Sequence, residues 1–489
     1  MKCWLTVAAV LCCTLAGQAQ EANPGLGALE RLMDRTGGTQ SVLVALRTTG
    51  DPELAVLFDA AGRRGDIQQR RFALEALQEL GGDQARQTFL WVLQNEADPD
   101  LRSQAMAYLA HDRALSTEQL VVLLENPQND VRLLAARQLL VTGQGQMAMP
   151  ALEAMSGAKD PATLALARMS LLSLGRSDLL EPVTAGLTGA KADPQVVIMV
   201  LEAAVEDKLQ SLAAPALQVA QQSTLMPVRL SGYRTYAALE PAKAADALAE
   251  AITKTEQTVL RVRLMWALAD LADSRDALKQ LATRTDVAGQ LAQFELARPG
   301  GGDAAEQALV ALLKQDHPVV IDYVLERAKA DVAARPAQSG FYVKPLLALV
   351  GSVDRQARAM GAQHMRAARA ATLVADIGNE PALTGLRAMV NGPFDAVSRT
   401  AAAGLVQTAN KDAAELARPL LTSQHEELST DALMVLGRLG DPAAAPGLTR
   451  LLDQPGKHRD EMIALAGWYL LKINNQQALG AAALADRFR

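Results

Sequence analysis

One arginine position returns along this chain at nearly constant intervals. In DIQQRRFALEALQELGGD, which begins at Asp66, Arg70 is followed by alanines three and six positions later and by Leu-Gly ten positions later. The same register falls, at steps of 32, 30, 32, 33, 32 and 32 residues, on Arg70, Arg102, Arg132, Leu164, Val197, Arg229 and Arg261. A period of this length indicates an array of small units, each burying its apolar face against the next.

The register continues less evenly towards the C-terminus. Steps of 28, 32, 37, 41, 30 and 34 residues lead to Gly289, Ile321, Arg358, Arg399, Ser429 and Ile463. The chain is therefore predicted to contain about thirteen repeats, which is the count of these positions.

The segment Ala432 to Asp453, ALMVLGRLGDPAAAPGLTRLLD, predicts what one boundary in the array looks like. Apolar residues spaced three and four apart form one helical face up to Leu439. Gly440 can adopt the left-handed conformation that ends a helix, while Asp441 can cap a second helix whose first position is Pro442. The pattern predicts helical hairpins throughout, and hence an all-α fold.

DPDLRSQAMAYLA, from Asp98 to Ala110, carries the Asp-Pro and Arg pattern that resembles HEAT-like repeats. The similarity is to the short type found in phycobilin (PBS) lyases and in exported bacterial proteins, and it extends over nearly all of the chain after residue 19. It implies an α-solenoid, while the motif specifies a fold and no activity. Four repeats depart from it, because apolar residues replace the arginine at Leu164, Val197, Ile321 and Ile463.

Each repeat arginine is predicted to hold an acidic group or a carbonyl at a neighbouring turn. These structural arginines are Arg70, Arg102, Arg132, Arg229, Arg261, Arg358 and Arg399. The small residues Ala73, Ala105 and Ala135 are predicted to allow close helix approach.

The first residues, MKCWLTVAAVLCCTLAGQAQ, have the pattern of a secretory signal peptide spanning residues 1–19, with cleavage after Ala19. A buried helix and a lipoprotein signal are the alternatives. The expected localisation is exported, periplasmic or secreted. All three cysteines lie within this segment, so a cleaved chain would have no thiol for catalysis or for a metal site.

Two Gly- and Pro-rich stretches interrupt the array, ARPGGGDAAE from Ala297 and VAARPAQSGFYVKP from Val332. They favour a joint between an N-terminal arc, residues 20–298, and a C-terminal arc, residues 303–489. A longer turn in one continuous array is the alternative. The glycines lack the Lys-Ser/Thr of a phosphate loop, and Asp303 is interpreted as a helix cap.

No catalytic or cofactor-binding constellation is predicted. The five histidines are scattered singly, so no metal site is expected and no cofactor is implied. The net charge of −6 argues against nucleic-acid binding. The longest uncharged run, Leu209 to Val228, contains two prolines and four glutamines, so no membrane span is expected after signal cleavage.

The segment RQARAMGAQHMRAARA, from Arg355 to Ala370, is the candidate binding feature. On one continuous helix, Arg355, Arg366 and Arg369 would share a face, with Arg358 as the structural arginine. The resemblance implies that such a helix lines the inner surface of the array. We predict that these three arginines hold an acidic partner segment or an anionic envelope polymer; the alternative is a solvated face paired with acids from adjacent repeats.

These observations predict an exported scaffold or adaptor that binds a protein partner through its concave surface. The alternative is a lyase-like or other enzyme built on the same repeats. An open groove would favour the scaffold, and a deep pocket with convergent polar side chains would favour the enzyme.

Overall fold

The computed structural model describes residues 29, 39–112, 115–189, 192–357, 361–453, 460–473 and 477–487. All regular secondary structure in these residues is helical. Many consecutive helices pack on one another, and from Pro99–Asp112 to Val287–Ala297 each helix that bears the register position packs on its counterpart in the next repeat. The fold is the predicted all-α solenoid. The proposed signal peptide, residues 1–19, lies outside the described residues.

Residues 93–404 form one compact unit. Its α-helices are Pro99–Asp112, Thr117–Leu123, Asn129–Val141, Met149–Met155, Pro161–Ser173, Leu180–Thr188, Pro194–Glu206, Ala213–Gln222, Met226–Leu239, Pro241–Lys254, Thr258–Ala269, Arg275–Ala282, Val287–Ala297, Gly302–Leu313, Pro318–Ala334, Val343–Gly351, Ala362–Ile377 and Glu380–Val390. Short 3-10 turns link some of them, including Arg298–Gly300 and Pro336–Tyr342.

The described residues of the segments 1–92 and 405–489 form the second compact unit. Its α-helices are Thr39–Arg47, Ala55–Arg64, Ile67–Leu80, Ala414–Ala417, Glu426–Arg438, Ala445–Asp453, Asp460–Lys472 and Gln477–Arg487. The helices Gly82–Asn95 and Ala396–Leu405 each run across a unit limit. Within this unit the helix Thr39–Arg47 packs on Asp460–Lys472, so segments from the two ends of the chain share one core.

Capping side chains set the helix starts, as the sequence predicts. Asp66 accepts hydrogen bonds from the backbone N–H groups of Gln68 and Gln69 in a capping box. At the boundary used above, Gly440 has a φ of +71° and the Asp441 carboxylate accepts from the N–H of Ala443 at 2.9 Å. Pro442 begins a 3-10 turn that leads into the helix Ala445–Asp453.

Small side chains bring the helices together. Ala73, Ala105 and Ala135 are fully buried. At Gly232 the approach is closer still, because a Cβ there would lie 2.7 Å from the carbonyl oxygen of Ala216. The predicted alanine packing between helices is confirmed at these positions.

Two local predictions were wrong. Asp303 is not a helix cap: the helix Gly302–Leu313 is preceded by Gly301, whose φ of +62° only glycine adopts readily, and Asp303 lies within its first turn. Residues 355–370 are not one helix either, because the helix begins at Ala362 and Arg355 lies in a turn before it. Gly361, in an extended conformation, occupies the N-cap position between them.

The two glycine- and proline-rich interruptions contact each other within the unit 93–404. The Arg335 guanidinium donates to the carbonyl of Pro299 at 3.4 Å, and the ring of Phe341 lies against Gly301. The predicted arcs, residues 20–298 and 303–489, stay a prediction, and the compact units have other limits. No helix in the described residues is long and apolar enough to cross a membrane.

Candidate binding surface

The three arginines of the predicted binding feature each face a carboxylate. Arg355 donates to Asp395 at 2.7 Å across an exposed pair. On the helix Ala362–Ile377, Arg366 contacts both carboxylate oxygens of Asp322, at 3.1 and 3.4 Å. The three side chains are therefore not free cations, and they are paired with carboxylates as in the alternative interpretation of the sequence.

Arg369 lies on the same helix as Arg366 and pairs with carboxylates of the neighbouring helix Pro318–Ala334. It donates to Asp322 at 3.2 Å and to Glu326 at 2.6 Å, and nearly half of its side chain is exposed. The two arginines and two carboxylates balance in charge. An anion that binds here would have to displace Asp322 and Glu326, so the anion-binding role stays a prediction.

Among the repeat arginines, Arg102 makes the fullest set of contacts of the predicted kind. Its guanidinium donates to the carbonyls of Ala97 and Glu96, at 2.6 and 3.1 Å, in the turn before its own helix. It also pairs at 3.0 Å with Asp130, at the start of the next register helix. One side chain thus ties its own turn to the next repeat.

The other repeat arginines vary this arrangement. Arg261 donates to the carbonyl of Thr255 at 2.5 Å and lies 3.8 Å from Asp286. Arg229 donates to the carbonyl of Ala220 at 3.4 Å.

Arg399 reaches back to the carbonyl of Ala357, and Arg132 donates to Asn129 within its own first turn. Arg70 also has a polar or electrostatic partner. Arg358 lies outside the described residues. Where the arginine is replaced, Val197, Ile321 and Ile463 are buried and Leu164 is partly buried.

A buried ionic network that the sequence interpretation missed lies between residues 266 and 342. Arg327 pairs with Glu295 at 3.1 Å and with Asp270 at 2.7 Å, and its guanidinium lies 4.8 Å from the ring centre of Trp266. The Tyr323 hydroxyl donates to Glu295. Burial, and next the negative charge of Glu295, raise the pKa of Tyr323 well above its usual value.

Arg298 extends this network into the two interruptions. It pairs with Glu295 at 3.0 Å and with Asp331 at 2.6 Å. Asp331 also accepts from Arg335 at 2.6 Å and from the Tyr342 hydroxyl at 2.7 Å. Burial alone would raise the pKa of Asp331, but these three hydrogen bonds outweigh it and lower the pKa. The network thus fastens both interruptions to the array.

A second cluster centres on Asp207, whose side chain is fully buried. Arg137, two repeats earlier, reaches it at 3.2 Å, and the Ser173 hydroxyl donates to it at 2.9 Å. Burial raises the pKa of this carboxyl, against the opposing effect of Arg137. Arg137 also pairs with Glu206 at 2.6 Å. Like the first network, this cluster joins helices of successive repeats.

A sequence signal for the larger network was available in the register itself. Six residues beyond the register position, the buried polar side chains are Gln138, Ser170, Thr235, Glu295, Arg327 and His364, and the buried apolar ones include Ala76, Ala203, Leu405 and Val435. Charges of opposite sign at this position in consecutive repeats, Glu295 and Arg327, predict a buried ion pair between neighbouring helices.

The described surface carries open grooves between repeats. One, with a volume of about 520 Å³, lies along the helix Gly302–Leu313 and includes Glu306 and Lys344. Another, also of about 520 Å³, includes Asp246 and Arg284. A third, of about 410 Å³, is lined by uncharged side chains as far as the described residues extend. No group of three or more metal-ligating side chains occurs among the described residues.

A family model described as HEAT repeats matches residues 382–466. The chain contains HEAT repeats, as the sequence predicts. No curated protein matches the sequence.

The fold is also similar to solved structures of other proteins. A Kap121p mutant is 13% identical, with 93% of this chain and 57% of that chain covered and a TM-score of 0.41. The Kap95:Nup1 complex is 15% identical, with 80% and 56% covered and a TM-score of 0.38. The karyopherin Kap121p bound to the SUMO protease Ulp1p is 12% identical, with 92% and 56% covered and a TM-score of 0.40. The chain spans little more than half the length of these proteins.

Proposed function

We propose that this protein is an exported scaffold that binds a protein partner along the surface formed by its register helices. The observation that carries this proposal is how the ionisable groups are used. The contacts that join repeats involve the charged side chains Glu295, Arg327, Asp331 and Asp207, whereas the grooves between repeats are open. An array whose repeats are joined by ion pairs and whose grooves between repeats are open to solvent is suited to hold an extended partner.

The acidic-partner contact at Arg355, Arg366 and Arg369 is a finer part of this proposal. Arg355 and Arg369 are well exposed, and arginine forks recognise carboxylates and phosphates in two-point geometry. Solvent-exposed ion pairs contribute only about 0–1 kcal/mol, so a multivalent anion can displace Asp322 and Glu326. In this proposal, the chain's own carboxylates, Asp322 and Glu326, hold the arginines in place until the partner binds.

Polyglutamate and polyphosphate serve as probes for a protein segment and for an anionic polymer. The triple variant Arg355→Glu, Arg366→Glu, Arg369→Glu should lose salt-sensitive binding of the matching probe while keeping its helical circular dichroism. The variant Asp322→Asn, Glu326→Gln should bind that probe more tightly, because it removes the competing carboxylates. Arg176→Glu, at the exposed pair with Asp178, is the matched control and should bind like the parent. Unchanged binding in the triple variant would remove the arginines from the proposal.

Export is tested separately, because it rests on the N-terminal sequence alone. The intact mass of protein recovered outside the cytoplasm should correspond to a chain that begins at Gln20. A mass that retains residues 1–19, or that includes a lipid on Cys13, would contradict the assignment.

A further inference from the structure

Two ion pairs in the unit 93–404 skip a repeat. Arg137 reaches Asp207, at the end of the register helix two repeats later, at 3.2 Å. Arg327 reaches Asp270, at the end of the register helix two repeats earlier, at 2.7 Å. We call these contacts the Arg137 bridge and the Arg327 bridge. The other helix of each hairpin packs against one side of the register helix, so both bridges cross on the opposite, open side. The register helices between the bridges are Pro194–Glu206, Met226–Leu239 and Thr258–Ala269.

Arg263 lies on the open side of the helix Thr258–Ala269. Arg263, Trp266 and Asp270 are spaced three and four residues apart, so they share one helix face. The Arg327 guanidinium lies 4.8 Å from the centre of the Trp266 ring and also pairs with Asp270. The face that carries Arg263 is therefore the face along which the Arg327 bridge runs.

Arg234 lies on the open side of the preceding register helix, Met226–Leu239. It is five residues beyond its register position, the same offset as Arg137 and Trp266. Arg234 and Arg263 are both exposed, and neither forms an ion pair or a hydrogen bond with a described residue. The two register helices that carry them pack on each other. The stretch between the bridges thus presents two arginines that the described part of the chain does not hold in ion pairs.

Glu202, on the register helix before these two, offsets their charge only in part. Burial, and next the charge of Glu206, raise the pKa of Glu202, while the charge of Arg234 lowers it. Glu202 and Arg234 therefore influence each other without forming an ion pair. Two cations and one carboxylate leave an excess of positive charge, in a chain whose net charge is −6. By contrast, Arg366 and Arg369 face an equal number of carboxylates.

Apolar side chains flank these charges. Ile198 and Leu230 precede Glu202 and Arg234 by four residues, so each shares a helix face with the charged residue that follows it. Met199 is adjacent to Ile198, and the three apolar side chains are partly buried. A uniformly charged polymer has no groups to place against them, whereas a protein segment with both acidic and apolar side chains does.

We propose that the stretch between the two bridges binds a segment of a partner protein that carries both acidic and apolar side chains. The carboxylates of the segment pair with Arg234 and Arg263, and its apolar side chains contact Ile198, Met199 and Leu230. This inference rests on the proposed binding along the register helices. It places an acidic contact at arginines that need not first be released from carboxylates of the chain itself.

A blocked peptide of alternating glutamate and leucine tests the chemistry on the full-length protein, with the glutamine–leucine peptide as its uncharged counterpart. The acidic peptide should bind saturably and shift the methyl NMR signals of Ile198 and Met199. The glutamine peptide should bind at least about tenfold more weakly, because it cannot form charge-assisted hydrogen bonds with arginine. Equal binding of the two peptides, or no shift at these methyl groups, would overturn the inference. Polyphosphate that binds as tightly with the same shifts would show a site that recognises charge alone, which would also overturn it.

The double variant Arg234→Gln, Arg263→Gln should weaken binding of the acidic peptide by at least about tenfold. Both side chains are exposed, so the thermal midpoint should stay that of the parent. Arg387→Gln, at an exposed arginine of another helix, is the matched control and should bind the peptide like the parent. Parent-like binding in the double variant would rule out this surface.

Glu202→Gln tests the same surface through a gain of affinity. It removes a carboxylate that repels the acidic peptide, and should tighten binding by about threefold. Unchanged or weaker binding would contradict the inference.

The triple variant Arg355→Glu, Arg366→Glu, Arg369→Glu separates this inference from the other acidic contact. It should bind the glutamate–leucine peptide like the parent, because it leaves the stretch between the bridges intact. Loss of peptide binding in the triple variant, with binding retained in the Arg234 and Arg263 double variant, would assign the peptide to the other contact. That result would overturn this inference and leave the proposed function in place.

Discussion

Each of the two compact units is held together by its own internal contacts, and these contacts span very different separations along the sequence. In residues 93–404, the network around Glu295 and Arg327 joins groups in neighbouring repeats. In the other unit, the Trp468 indole donates to Asp51 at 3.1 Å and Lys472 pairs with Asp51 at 2.8 Å, across more than 400 residues of sequence. A repeat array needs only neighbour contacts, so the second kind adds a constraint that the repeat alone does not impose.

The largest expected effect tests the long-range side of this comparison. Trp468→Ala removes a fully buried ring and its hydrogen bond to Asp51, and should destabilise the unit by about 3–5 kcal/mol. Hydrogen exchange should then increase in the helix Thr39–Arg47, which packs on the helix of Trp468. Exchange in the helix Pro318–Ala334 serves as the internal control. Loss of protection there first would show that the contact does not act locally.

The second-largest expected effect tests the contacts between neighbouring repeats in residues 93–404. Arg327→Met removes one of the two cations that pair with the buried Glu295, leaving Arg298 as the other, and should cost about 3 kcal/mol in chemical denaturation. The double variant Arg327→Met, Glu295→Gln should cost more than the single variant, because it leaves Arg298 with Asp331 as its only carboxylate in this network. Asp270→Asn is the matched control at the half-exposed end of the network and should cost about 1 kcal/mol or less. Equal losses in the single and double variants would contradict the ion-pair explanation.

A third prediction concerns pH, in the unit formed by the chain ends. Burial, assisted by the charge of Glu427, raises the pKa of Asp431 to about 7, far above the ordinary aspartate value. The folded state therefore holds this proton more tightly than the unfolded state, and ionisation costs stability progressively as the pH rises from about 4 to 7.

Asp431→Asn removes that cost. The variant should match the parent near pH 4 and exceed it by on the order of 2 kcal/mol at pH 8. Thermal melts of both proteins across this range provide the measurement. A stability difference that does not change with pH would show that Asp431 keeps an ordinary pKa in the folded protein.

The smallest effect separates the two ends of the Asp51 contact. Lys472 is partly exposed and pairs with both Asp51 and Glu53, so Lys472→Met should cost about 1 kcal/mol. Arg176→Met, at a pair exposed on both sides, should leave the stability unchanged. A Lys472 variant as neutral as the Arg176 variant would assign the long-range contact to Trp468 alone.

The fold could be predicted from the sequence because the same helical spacing of apolar residues and the same capping residues recur along the chain. The carbonyl and acid partners of Arg102 follow from its register, and the cap at Asp441 follows from local turn chemistry. The contact of Asp51 with Lys472 could not be predicted, because a period describes only neighbours and says nothing about where distant segments meet.

The candidate site was harder to predict, for a local reason. Residues 355–370 are rich in helix-forming alanine and arginine, yet the described helix starts only after Gly361. The carboxylates Asp322 and Glu326 that pair with Arg366 and Arg369 lie one register helix earlier and belong to no motif. The pairing of these carboxylates with Arg366 and Arg369 can be recognised only in the structure, where the two register helices lie side by side.

The packing of the helix Thr39–Arg47 on Asp460–Lys472 also sets an order of events in biosynthesis. The helix Thr39–Arg47 leaves the ribosome long before the helix that covers it, Asp460–Lys472, is made. A contact of such high sequence separation forms late and slowly, and until then the early helix leaves apolar residues such as Leu43 and Leu46 uncovered. The helix Thr39–Arg47 therefore stays uncovered until Asp460–Lys472 is made, which gives chaperones a long interval in which to act.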